Sequence, residues 1–155
     1  MKNLMHTQIK YISIIIGLLG LIPYGLPLIE KYGFVNVFEF KTINFTIWYG
    51  ITILSFLSGI YWGLSINALI KNNSDLNYLL PPLSIIPFSF AIGTVIASNY
   101  LNIIFLVIGF LLCQILDEIL FSYNVYFNWY IKLRRFLTVV VVTFMIYYYI
   151  HFSNG

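Results

Sequence analysis

Trp48 to Gly63 read WYGITILSFLSGIYWG, and the uncharged run extends outward from Ile43 to Ile70. A helix needs about 20 apolar residues to cross a hydrocarbon layer of about 30 Å, so this stretch is long enough to span a bilayer and too long for a buried helix of a small soluble domain. Ser55, Gly59 and Gly63 are spaced four apart. They therefore fall on one face and leave a shallow groove into which another helix can press its backbone. Thr52 extends the stripe by a turn, and Trp48 and Trp62 flank it. Helix packing is the reading favoured for Ser55, Gly59 and Gly63. The rival reading is a polar path for an ion or solute lined by Thr52, Ser55 and Tyr61.

The rest of the chain agrees with a membrane setting. Of 155 residues, 61% are hydrophobic and 19% aromatic, and only 8% are charged. That is about a third of the charge usual in soluble domains, too little to cover a soluble surface. The expected class is all-α: a polytopic integral membrane protein with five transmembrane helices in one compact bundle, forming a single domain over residues 1–155. The net charge of +3 fits a positive-inside topology better than a nucleic-acid footprint, and no nucleic-acid partner is expected. Cys113 is the sole cysteine and lies in an apolar run, while His6 and His151 sit at opposite ends of the chain. Neither a disulfide within the chain nor a protein-ligated metal is expected from these.

In chain order the spans fall at about 11–29, 43–70, 79–98, 100–121 and 136–152. Lys2, His6 and Lys10 precede the first, which resembles the start of a signal peptide. The apolar run continues to Ile29 without a small-residue cleavage pattern, so it reads as a span. Ser13 and Gly17 offer it a face to dock on the second helix, and Pro23, Gly25 and Pro27 should kink its far end. Glu30 to Thr42 reads as an interfacial connection, and Lys71 to Asp75 as a loop. Pro81 and Pro82 should open the third span, Pro87 should kink it, and Ser98 and Asn99 should close a tight hairpin to the fourth. Gly109, Cys113 and Asp117 share a face of the fourth helix, with Gln114 beside them. Ser122 to Arg135 mixes aromatic and basic residues, the composition of a membrane interface. With the N-terminus inside, Lys2, Lys10, Lys71, Lys132, Arg134 and Arg135 face the inner side, against Lys31 and Lys41 outside.

A family resemblance is carried by Tyr49, Gly50, Ser55, Phe56, Gly59, Trp62 and Gly63. Further along, Leu116, Asp117, Trp129, Tyr130, Leu133, Arg134, Leu137 and Thr138 continue it. The chain resembles the DUF3429 family, a domain of unknown function that includes the mitochondrial transmembrane protein 69. The resemblance implies a multi-helix inner-membrane protein of bacteria or mitochondria, and it implies no reaction. Tyr61 stands where the family usually has histidine. A buried tyrosine does not replace histidine as a proton relay near neutral pH.

Few residues are left to carry chemistry. An ionisable group inside a span costs roughly 2.5 to 3.5 kcal/mol on insertion scales, so Asp117 should be paired or close to water. Arg134, at the start of the next helix, is its natural partner, and the candidate polar site is Trp62, Gln114, Asp117 and Arg134. The alternative leaves Asp117 solvated at the interface beside Glu118. No catalytic triad, phosphate loop or metal cluster assembles from these residues, and no cofactor is expected. The leading functional reading is a structural or assembly-type accessory acting by helix docking. Its partners would be the lipid bilayer and either another membrane protein or a second copy. A small transporter or channel is the main rival, and a membrane enzyme acting on lipid or quinone is the third reading.

Overall fold

The computed structural model describes residues 2–32, 42–70, 74–98 and 101–152. These form an all-helical bundle of α1 (Lys2–Leu19), α2 (Ile22–Lys31), α3 (Thr42–Ile70), α4 (Ser74–Ile96), α5 (Leu101–Ser122) and α6 (Asn128–Phe152). Helices α1 and α2 together make one apolar stretch, Thr7–Lys31. With α3, α5 and α6 it gives four helices long and apolar enough to cross a membrane. The apolar part of α4, Leu80–Ile96, is shorter. Its length of 17 residues, about 26 Å at 1.5 Å per residue, stands at the lower limit of what a hydrocarbon layer of about 30 Å needs.

The outer surface is covered by large apolar side chains. Phe56 is 65% exposed, Val139 65% and Ile96 78%. Such a surface is unsuited to water and suited to lipid. Inside, Leu54, Ile103, Leu106, Cys113, Met145 and Tyr148 are fully buried. Neighbours in sequence are neighbours in space from α3 to α6; α2 packs on α3 and α6, α3 also touches α5, and α1 leans on α6.

Three boundaries and one docking face differ from the sequence reading. The first span breaks at Gly20 and Leu21, upstream of the prolines. Pro23 has no N–H for the Leu19 carbonyl and its ring collides with that carbonyl, so α1 ends at Leu19 and Pro23 opens α2. Helix α6 begins eight residues before the expected Phe136. Ile131, Thr138, Val141, Met145 and Tyr148 are all buried, and their spacing of three, four and seven continues one helical face back through the interfacial segment. Helix α4 starts at Ser74 rather than at the proline pair, taking in the end of the expected loop; Lys71, Asn72 and Asn73 lie outside the described residues, as do residues 33–41 of the interfacial connection and Asn99 of the hairpin. Gly17 faces Leu133 and Leu137 of α6, so the small-residue face of α1 docks on the last helix, not on α3.

Proline also explains one of two contacts that hold the bundle together. Pro27 cannot donate to the Pro23 carbonyl four residues earlier, and the Thr46 hydroxyl of α3 donates to that carbonyl at 2.9 Å. The second links α3 to α4, where the Ser58 hydroxyl donates to the Ser84 carbonyl at 2.6 Å. Helix α4 remains helical through Pro87.

Candidate functional site

The site is set by how α5 ends. Asn124 adopts φ 58°, a left-handed conformation that asparagine tolerates better than most residues. The Val125 N–H donates to the Leu120 carbonyl at 3.1 Å and the Asn124 N–H to the Phe121 carbonyl at 2.9 Å. This is the Schellman stop, with Asn124 in place of the usual glycine. It turns the chain back within five residues, and α6 climbs beside α5 with Arg134 level with Asp117.

The two side chains form an ion pair, Arg134 Nε to Asp117 Oδ2, at 2.7 Å. Their side chains are 12% and 2% exposed. The other carboxylate oxygen, Oδ1, accepts from the Tyr61 hydroxyl at 2.9 Å, and the Cys113 carbonyl lies 3.1 Å from the same hydroxyl. Tyr61 is itself buried, so one carboxylate joins α3, α5 and α6. The Tyr126 hydroxyl, from the α5–α6 turn, is buried near Asp117 without a well-formed hydrogen bond. Burial, and then the negative charge of Asp117, push that phenol well above its ordinary range.

The residues of the expected polar site separate into three places. Asp117 and Arg134 meet in the interior. Gln114 joins an outer cluster, its amide donating to Glu118 at 2.8 Å, while Arg135 donates to both oxygens of Glu118 at 2.6 Å. Trp62 is 53% exposed and points away from the cluster that its neighbour Tyr61 completes. Tyr61, which the sequence places among the hydroxyls of a polar path, is instead a partner of Asp117. The stripe on α3 also lies outward. A Cβ built at Gly59 or Gly63 meets nothing within 4 Å, so no helix of the described residues docks on this face at those two positions.

At the opposite end, Glu30 of α2 accepts from both the N–H of Thr42, at 3.2 Å, and its hydroxyl. This places a carboxylate at the positive end of α3. The Tyr148 hydroxyl donates to the Tyr24 carbonyl. Between these two ends runs a cleft of about 410 Å³, walled by α1, α2, α3 and α6, with Phe110 of α5 at its floor. It is lined mainly by apolar side chains, and Ser13, Tyr24, Tyr49, Tyr130, Arg134 and Thr138 supply its polar groups.

Chemically, Asp117 acts as an internal clamp, since both of its oxygens are engaged within the protein. Among the described residues no three His, Cys, Asp or Glu side chains gather as metal ligands. Lipid-facing helices around a buried ion pair define a multi-pass membrane protein. The chain belongs to the DUF3429 family, whose model, described as a protein of unknown function, matches residues 9–150. No curated protein and no solved structure matches the chain.

Proposed function

We propose that this protein is a non-catalytic accessory of a larger membrane assembly, and that it works by docking a partner's transmembrane helix on α3. The observation that carries this reading is the open face at Gly59 and Gly63, where an added Cβ meets nothing. Phe56 and Trp62 stand beside it, exposed, so the face is a shallow channel with tall aromatic edges. Lipid gives little drive for helices to associate, and close backbone approach through small residues supplies it. The family resemblance supports placing the protein in the inner membrane of a bacterium or a mitochondrion.

Transport has less support. The Thr52 and Ser55 hydroxyls bond to the Trp48 and Ile51 carbonyls of their own helix, each at 3.0 Å, and Tyr61 is committed to Asp117. The test is a photoreactive benzoylphenylalanine in place of Trp62, followed by mass spectrometry of the crosslinked product from native membranes. One defined protein partner, lost when Gly59→Leu is added while the thermal stability of the protein holds, is expected. Crosslinks to lipid alone would end the docking reading.

A further inference from the structure

The cleft between α1 and α3 has a feature that packing alone leaves unexplained. Buried polar atoms are nearly always hydrogen-bonded, and those that are not call for a reason. Two of the cleft-lining residues, Tyr24 and Arg134, each carry a buried atom without a partner: the Tyr24 hydroxyl and Arg134 Nη2. Arg134 comes from the Asp117 end of α6, and Tyr24 from the kink of the first span. The wall between them is apolar, including Ile53, Leu57, Leu137 and Val141. Ile16 and Phe56 line the cleft and are 64% and 65% exposed, so its mouth opens sideways between α1 and α3, where the lipid lies.

We infer that this cleft binds a neutral amphiphile: a long apolar body carrying a hydrogen-bond acceptor such as a carbonyl oxygen. The volume lies within the roughly 300 to 1,000 Å³ typical of ligand pockets. Charge balance selects a neutral head. Asp117 and Arg134 already cancel, so a bound anion would leave a buried negative charge uncompensated, and a cation would face the guanidinium. Nη2 only donates, and a phenol donates readily, so the matching group is an acceptor. Both atoms are sealed from water in the unliganded cleft, so binding an acceptor requires the Tyr24 or Arg134 side chain to turn into it. An acyl ester of a glycerolipid and a quinone head group share this chemistry.

The test uses the delipidated full chain in dodecyl maltoside, with decylubiquinone, monoolein and palmitate as separate probes in native mass spectrometry. A one-to-one adduct with at least one of the two neutral probes is expected, and palmitate should not be retained. Retention of decylubiquinone alone assigns a quinone, retention of monoolein alone an acyl ester, and retention of both the shared carbonyl chemistry. Arg134→Lys keeps a charge opposite Asp117 but loses the guanidinium fork. Tyr24→Phe removes an unpartnered hydroxyl and should fold at least as well as wild type. In one or both variants the affinity should fall roughly tenfold, the loss of about one good hydrogen bond. Three results would overturn the inference: no neutral adduct, palmitate held as tightly as the better neutral probe, or unchanged affinity in both variants.

Discussion

Asp117 and Arg134 meet at 2.7 Å between α5 and α6, both shielded from solvent. Removing one partner of a buried pair strands the other charge, at a cost of about 3 to 5 kcal/mol, whereas an exposed pair is worth about 0 to 1 kcal/mol. Asp117→Asn and Arg134→Gln should each fall in the upper range. The double variant should lose clearly less than the sum, since it leaves no isolated charge. Unfolding in mixed micelles measures all three, and strictly additive losses would show that the pair does not couple.

Tyr61 is the third member of that clamp. Its hydroxyl donates to Asp117 Oδ1 at 2.9 Å, and a hydrogen bond to a charged group contributes about 1.5 to 3 kcal/mol. Tyr61→Phe preserves the ring and should lose that amount. In an Asp117→Leu background the same change should cost much less. An equal cost in both backgrounds would place the role of the hydroxyl at the Cys113 carbonyl instead.

What was legible in the sequence follows from how rare each signal is. Asp117 and Arg134 stood out because ionisable residues inside a span are rare and normally paired, and the short segment between them fixed their common depth. The inward face of α3 was not legible. That helix is apolar all round, so periodicity carries no information about which side turns inward. Ser55, Gly59 and Gly63 drew attention through their spacing, yet the closest helix contacts of the described residues include Gly50, Gly93 and Gly109. Tyr61 was hidden for the same reason. In a span, a tyrosine on the buried side and one facing lipid look alike until the neighbouring helices are placed. The start of α6 was obscured by its interfacial composition, although Ile131 already marked its buried face.

Membrane orientation is the next expectation. With five spans, six Lys and Arg residues, Lys2, Lys10, Lys71, Lys132, Arg134 and Arg135, would fall on the side of the N-terminus, and two, Lys31 and Lys41, on the other. This asymmetry directs the N-terminus inward. Single cysteines at Ser74 and Asn154, in a Cys113→Ala background, should label from opposite sides of the membrane. Labelling from one side would remove the odd number of spans.

Ser58 and Gly59 are adjacent in α3 and should respond differently. The Ser58 hydroxyl bonds across to the Ser84 carbonyl of α4, and such interhelical bonds in lipid average about 0.6 kcal/mol, up to about 1.7. Ser58→Ala should therefore lower the stability of the isolated chain by roughly that amount. Gly59 faces open space, so Gly59→Leu should change it by no more than about 0.5 kcal/mol. A larger loss for Gly59→Leu in the isolated protein would mean that this face packs within the chain.

Gly109 and Gly93 carry the contrary expectation, because there the helices touch. A Cβ at Gly109 would lie 2.8 Å from Leu54 Cδ1 and 3.0 Å from the Phe90 Cβ; at Gly93 it would lie 2.8 and 2.9 Å from two atoms of the Phe105 ring. The Leu54 methyl can swing aside at Gly109, but the Phe90 Cβ is fixed to its backbone, so α4 and α5 must move apart. The Phe105 ring at Gly93 is half free, being 37% exposed, and can turn outward toward lipid. Overpacking of a filled interior costs about 1 to 3 kcal/mol. Gly109→Ala should fall within that range, Gly93→Ala at or below its lower edge, and Gly59→Ala near zero. Melting temperatures of the three alanine variants in one detergent give the order directly. If Gly109→Ala melts with the wild type, α3, α4 and α5 are not in the close contact that frames the buried Asp117.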